Sequence, residues 1–525
     1  MLFLDWKIPA LLVALSLLSA VPLLAGNYVF QSDFQAASLR ALELNVCLNE
    51  GIAFPRWSPD FYGGNGAPLF NFYAPFSYYL VQPFVFAGMG FATAVHLVWF
   101  LSMLAAALGA FLFARKFASE KAAFAGAVFY SFFSYHLTDV FVRGAFAESI
   151  AYAILPFAAF LFLEAAEGRK IIPAAAVYAI LIFTHSPSSF LFTAFFVPYV
   201  LAKSFLQKGW SVKSIPNGFV FALLLGLGLS AFFWIPALFE QNLIHFERID
   251  FGFNEQFLAP GDFFGLPSFA REKALHLGVL DSLAVLAGVA FALFAERKKF
   301  GAEAAFVLAI AFFVTPLSLP FWPDIAKSVQ FSWRLLPVLA LFSIPLACGL
   351  MERLGFKTVI AFSVLFAAFG FSMVIPVGYY DHTLQWYDAQ ITRANLLSLK
   401  NDLSYNAEYA PASTIATLTL DEPVVQYGVA TSKTYCYEKR ISINAEKDSF
   451  VVADLFYHQA WNLAIDGVSE GKPSNDRGFV KFGVPAGMHE ARIYYEETPL
   501  EKASWVVFGI SVLAAAAFYA FKRKS

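Results

Sequence analysis

About twelve apolar runs punctuate this chain, near residues 8–28, 90–114, 122–137, 149–166, 171–186, 188–206, 217–238, 276–295, 302–320, 333–351, 358–377 and 503–521. Most approach the roughly 20 apolar residues that an α-helix needs to cross a bilayer core. Composition agrees, with 59% hydrophobic and 14% charged residues. The expected fold class is therefore a polytopic α-helical membrane protein of about 12 transmembrane helices. A net charge of −2 leaves no basic face for nucleic acid. Cys47, Cys348 and Cys436 show no paired spacing, so neither a metal knuckle nor a disulfide framework is read from them. Cys47 and Cys436 can share a side of the membrane, but the expectation is that they stay unbonded.

Basic residues set the orientation. With the N-terminus cytoplasmic, the cytoplasmic turns carry Arg115, Lys116 and Lys121, then Arg169 and Lys170, then Lys203, Lys208 and Lys213, then "ERKK" (296–299), then Arg353 and Lys357, and finally "KRK" (522–524). This reading predicts a multi-pass plasma-membrane protein with both termini cytoplasmic. The first run ends in "LLAG", which resembles a cleavage site, but a lone Lys7 precedes it and an uncleaved anchor is expected. The same assignment places outside the first loop, the loops near 138–148, 239–275 and 321–332, and a long polar segment.

Three parts follow: a transmembrane domain (1–377) with an ordered first outer loop (30–90), an extracytoplasmic β-rich domain (378–500), and a last transmembrane helix with a basic tail (501–525). In the polar segment, "SFVVADLFYH" and "GFVKFGVPAGMHEARIYYEE" alternate with period two, "PAG" marks a turn, and a β-sandwich is expected. In the first loop, apolar residues at helical spacing over 33–49 predict an amphipathic helix on the membrane surface, ended by Gly51. The loop continues as "FPRWSPDFYGGNGAPLFNFYAP" (54–75). The stretch 74–90 is too short and proline-interrupted for a full span, and reads as interfacial or re-entrant.

An Asp after the first helix, an amphipathic helix, "G-x-x-x-P-x-W" and "GG-x-G-x-P-x-F-x-F-Y-x-P" resemble the GT-C membrane glycosyltransferases. Within that superfamily the chain is most similar to the "6-pyruvoyl-tetrahydropterin synthase-related" and YfhO-type membrane proteins. "RGAFAE" (143–148), "QFSWRLL" (330–336) and "W-x-x-x-I-D-G…V-P-A-G-x-H" (461–489) extend the resemblance over nearly the whole chain. The zinc-binding histidine triad of a pterin synthase is not found. The resemblance implies transfer of a sugar, with inversion at the anomeric carbon, from a polyprenyl-phosphate donor to an envelope glycan, lipid or protein at the outer face.

On that resemblance Asp33 is the general base, because a sugar hydroxyl must lose its proton as it attacks the anomeric carbon; read from the residues alone, Asp33 is a helix N-cap. Glu43 is a weaker second acid. The lipid phosphate leaves with negative charge, for which Arg143 and Arg334 are the candidate partners. Asp139, four residues before Arg143, is its alternative partner. Arg334 has no acid within a turn, although Asp324 can reach it through the fold. His185 joins them as a phosphate ligand or a loop hydrogen-bonder. Arg56, Trp57, Asp60, Tyr62, Tyr73 and Glu148 are candidates for acceptor or sugar binding. The rings, with Phe70 and Phe72, serve equally as interface anchors. No cofactor is required, although Glu240, His245 and Glu247, with Glu148 and Asp250 nearby, could hold a divalent cation such as Mg or Mn. Two rival classes remain, a lipid or polysaccharide transporter or flippase and a non-catalytic envelope-assembly scaffold. A single outward cavity gathering Asp33, Arg143 and Arg334 separates the enzyme from both.

Overall fold

The structure is a computed structural model that describes residues 7–24, 26–29, 35–245, 253–265, 277–323, 329–374, 379–398, 409–412 and 429–524. Among these residues each apolar run is mostly helix. In chain order the principal helices are α1 (Lys7–Ala20), α2 (Ala36–Asn49), α3 (Phe76–Phe86), α4 (Phe91–Ala114), α5 (Glu120–Ser131), α6 (Ser134–Thr138), α7 (Phe146–Ala166), α8 (Ile171–Thr184), α9 (Ser186–Lys208), α10 (Asn217–Leu229), α11 (Ala231–Phe239), α12 (Val279–Phe294), α13 (Arg297–Phe313), α14 (Leu336–Leu354), α15 (Phe356–Val374), α16 (Leu384–Gln390), α17 (Arg393–Ser398) and α18 (Pro499–Lys524).

Among the described residues, five helices are long and apolar enough to cross a bilayer: those at Phe91–Ala114, Phe146–Ala166, Ser186–Lys208, Ser332–Leu354 and Pro499–Lys522. The α10–α11 pair, bent by 71°, makes a sixth if it is one span. Four further apolar helices are shorter, so a count of twelve crossings depends on these and on α5 and α13 crossing as well. The helices close on one another through small residues. Ala106, Ala107 and Ala110 of α4 and Ala151, Ala158 and Ala159 of α7 are all buried, letting these backbones approach closely. The α14 span lies at the centre, with 89% of its apolar window buried, whereas α18 lies at the rim with 6%.

The β-rich region has the expected alternation. Strands β3 (Val429–Thr434), β4 (Glu438–Ala445), β10 (Gly487–Tyr495), β6 (Trp461–Ile465) and β7 (Val468–Gly471) form one antiparallel sheet in that order. A second antiparallel sheet runs β5 (Ser449–Phe456), β9 (Phe479–Val484), β8 (Ser474–Asp476). Ile441, Ile443, Ala491 and Ile493 from the first and Val451, Ala453, Val480 and Phe482 from the second are buried in one apolar core, as a sandwich requires. "PAG" makes the β9–β10 turn. A small pair, β1 (Asn27–Val29) with β2 (Tyr379–Thr383), joins the chain after α1 to the chain before the sandwich.

Three expectations change here. The α2 helix ends at Gly51 as expected, but it is no half-exposed surface helix: Ala37, Leu39, Ala41, Leu42, Glu43, Leu44 and Cys47 are all buried, because α3 and the aromatic loop pack around it. Cys47 of α2 and Cys436 beside β4 are joined in a disulfide across 389 residues of chain. Sequence spacing cannot report a pairing that exists only once loop and sandwich dock. The aromatic loop, finally, is a docking core. Trp57 meets Trp461 edge to face at 5.0 Å, and Tyr62 lies 5.5 Å from Phe456. Gly66 is required there, since a Cβ on it would stand 2.2 Å from Trp57 Nε1 and its φ is +74°.

Candidate functional site

In "SYHLTDVFVRGAFAE", Tyr135, Asp139 and Arg143 recur every four residues and so share a helical face. Helix α6 runs into a wide turn over Asp139–Arg143, and Gly144 at φ +69° reverses the chain into α7. Glu148 thus falls in the first turn of α7, where the helix dipole favours a carboxylate. Arg143 Nη1 donates to Asp139 Oδ1 at 2.6 Å, to the Tyr135 hydroxyl at 2.8 Å and to Glu148 Oε2 at 3.1 Å.

Arg334 arrives from far along the chain. A short helical turn (Ser332–Leu335), held by the Ser332 amide donating to the Gln256 carbonyl, leads into α14. Arg334 Nε donates to the same Glu148 Oε2 at 3.1 Å, and its Nη1 donates to Gln330 Oε1 at 2.6 Å and the Val329 carbonyl at 2.7 Å. Its acid is therefore Glu148, a partner that adjacency in sequence could not supply. His185 caps α9, with Nδ1 accepting from the Ser188 amide at 3.4 Å and lying 2.7 Å from the Ser188 hydroxyl. It is also within electrostatic reach of Glu148, Arg334 and Arg143. Two guanidiniums thus converge on one carboxylate oxygen where α7, α9 and α14 all begin. Both arginines keep a partly exposed side chain, 18% for Arg143 and 10% for Arg334. Cations gathered at helix starts suit an anion, since the dipoles add to the charge.

A second group lies in the first loop. The Asp60 amide donates to Glu43 Oε2 at 3.2 Å, and Arg393 Nε lies 2.6 Å from Asp60 Oδ2. Both carboxyls are fully buried. Burial, then the neighbouring Asp60, pushes Glu43 well above the usual carboxylate range; burial also raises Asp60, against the pull of Arg393. Glu43 and Asp60 are thus engaged with one another and with Arg393 between α2, the aromatic loop and α17.

The remaining candidates separate. Arg56 is fully buried, with Nη1 donating to Asn71 Oδ1 at 2.7 Å, Nη2 to the Phe232 carbonyl at 3.1 Å and Nε to Glu497 Oε1 at 3.3 Å, and Glu501 Oε1 at 3.6 Å. It ties the loop to α11 and α18 from a fully buried position. Trp57 and Tyr62 are likewise buried. Tyr73 is half-buried, and Arg40 lies over its ring at 4.1 Å. Glu240 accepts from Thr498 Oγ1 at 2.6 Å and Asn71 Nδ2 at 3.1 Å, which places it in the Arg56 network and not in a metal set with His245. The His245 amide donates to the Ala410 carbonyl. Among the described residues no three His, Cys, Asp or Glu side chains group as metal ligands. Asp33, Glu247, Asp250 and Asp324 lie outside the described residues. Sequence reasoning missed Tyr135 and Gln330, each four residues from an acidic or basic partner, and that spacing was the available signal. It also missed Arg40 and Arg393, for which no local signal exists.

Residues 70–377, more than half of the chain, match the family described as "6-pyruvoyl-tetrahydropterin synthase related domain; membrane protein". The chain belongs to this family. Both arginines and Glu148 of this PTPS-related membrane protein fall inside the matched region. The arabinofuranosyltransferase AftD from Mycobacteria is similar in structure, with a TM-score of 0.50 and 16% identity over 72% of this chain and 28% of AftD. The archaeal oligosaccharyltransferase AglB from Archaeoglobus fulgidus, solved with an inhibitory peptide and a dolichol-phosphate, gives a TM-score of 0.49 and 15% identity over 73% of this chain and 57% of AglB. The likeness to AftD is one of fold, and the chain spans only 28% of AftD's length. No curated protein matches the sequence.

Proposed function

We propose that this protein is a membrane glycosyltransferase that moves a sugar from a polyprenyl-phosphate donor to an envelope glycan, lipid or protein acceptor. The observation that carries the reading is the convergence of Arg143 and Arg334 on Glu148 at the start of three apolar helices. The fold shared with an arabinofuranosyltransferase supports it.

In the proposed reaction the acceptor oxygen attacks the anomeric carbon as the bond from that carbon to the phosphate oxygen breaks, inverting the centre. Asp33 takes the acceptor's proton, and the phosphate leaves with its charge held by Arg143 and Arg334. Because two guanidiniums serve the leaving group, the proposed chemistry needs no divalent cation, and transfer should survive EDTA. The proposed topology puts the site outside the cell. The basic turns support that side, and so does the Cys47–Cys436 disulfide, since such bonds persist in oxidising compartments.

The test is transfer of radiolabelled sugar from a panel of polyprenyl-phosphate sugars to envelope extracts. Wild type should transfer one of them and Asp33→Asn should lose about 10²-fold in turnover, the usual size of a general-base contribution. Equal transfer by both proteins would remove the base from the scheme.

A further inference from the structure

A cavity of about 310 Å³ opens between the start of α8 and the end of α18, at the end of the helices away from the arginine cluster. Its walls are apolar, from Ile171, Pro173, Phe518 and Tyr519, and Lys170 and Lys522 stand at its edge. The α18 wall is lipid-facing by burial, since only 6% of its apolar window is covered by protein. A ligand can therefore enter sideways from the bilayer.

Among the described residues, the charged side chains that line the cavity are both basic, Lys170 and Lys522. Glu164 and Glu167, the nearby acids, are engaged by Lys116 at 2.7 and 2.8 Å and by Arg169. The Lys170 ammonium lies 4.7 Å from the Phe160 ring centre and forms no ion pair with a described carboxylate. Lys522 Nζ donates to the Gly168 carbonyl at 3.0 Å, which pins it beside the same opening. The first turn of α8 contains no acid. Both lysines flank the ends of apolar helices, the position in which basic side chains meet lipid headgroups.

We propose that this cavity is a binding site for one anionic glycerophospholipid, its phosphate between Lys170 and Lys522 and an acyl chain against Ile171, Phe518 and Tyr519. A phosphate needs the cations and an acyl chain needs the apolar wall, and the cavity supplies both. The site is separate from the glycosyl-transfer reading and stands without it.

Native mass spectrometry of the full chain in detergent tests it, titrating phosphatidylglycerol against phosphatidylcholine. Each lysine near an anionic headgroup contributes on the order of fivefold in affinity. Phosphatidylglycerol should bind at least about fivefold more tightly than phosphatidylcholine, and Lys170→Gln/Lys522→Gln should lose that preference. Lys170→Arg/Lys522→Arg should keep it, as should Lys208→Gln/Lys213→Gln, which removes two lysines elsewhere. Single Lys170→Gln, which leaves the Lys522 bond to Gly168 intact, should lose about fivefold and guards against misfolding of the double variant. Equal binding of the two lipids, or a Lys170→Gln/Lys522→Gln variant that retains the preference, overturns the site. Displacement by millimolar inorganic phosphate would make it a free-anion site, and tighter binding of polyprenyl phosphate would make it a carrier site. Either result overturns the assignment to a glycerophospholipid.

Discussion

Glu148 shows how much one carboxylate can decide. It accepts from Arg143, Arg334 and the Tyr135 hydroxyl, and removing one partner of a buried ion pair leaves the others uncompensated. Glu148→Gln should therefore lower stability by about 2–4 kcal/mol, less than a sealed pair because both arginines touch solvent. If the arginines bind the donor's phosphate, added polyprenyl phosphate should restore part of the lost melting temperature. A melt indifferent to the lipid would argue for a structural cluster alone. Arg334→Ala removes a charge-assisted hydrogen bond and should weaken donor binding by about tenfold to a hundredfold. Asp33→Asn should leave donor binding nearly unchanged while slowing transfer, so a binding assay beside a turnover assay separates the two roles.

At the scale of elements, the first loop is held by burial. Glu43 and Asp60 sit between α2, the aromatic loop and α17, and their raised affinity for protons makes the fold pH-dependent. The folded state binds protons that the unfolded chain releases above the ordinary carboxylate range. That stabilisation is fully present below the unfolded values near 4 and is lost as pH rises through the raised folded values. Glu43→Gln keeps an acceptor for the Asp60 amide and removes the titration. Melting temperature should then vary less between pH 5 and 8, and at pH 8 it should equal or exceed that of wild type. A variant several degrees less stable at pH 8 would show that the carboxylate is needed as an anion. Gly66→Ala should destabilise by about 2–4 kcal/mol, since Trp57 leaves no room for a Cβ and positive φ adds strain. Thermal unfolding followed by tryptophan fluorescence would read it directly.

Across the whole molecule, loop and sandwich are held together by the disulfide, by the Trp57–Trp461 contact and by the Arg56 network that reaches α18. Cys436→Ser should cost about 2–5 kcal/mol, and reductant should lower the melting temperature of wild type but not of the variant. Cysteines placed at exposed sites in the sandwich should label from outside intact cells. Labelling only after permeabilisation would reverse the proposed orientation and, with it, the site's access to an outer acceptor.

Some of this was legible in the residues alone. Among the described residues apolar run length located the membrane-type helices, because a helix's backbone bonds are local and its burial needs only length and apolar side chains. Alternation located β5, β9 and β10, and four-residue spacing linked Asp139 to Arg143. The reach from Arg334 to Glu148, the withdrawal of Arg56, Trp57 and Tyr62 into a core, the assignment of Glu240 to a hydrogen-bond network and the pairing of Cys47 with Cys436 came only with the tertiary structure. Each joins groups far apart in the chain, and such distances are set by helix packing and by docking of the sandwich. No local pattern encodes them, because the same aromatic loop would read identically whether its rings faced lipid, sugar or protein.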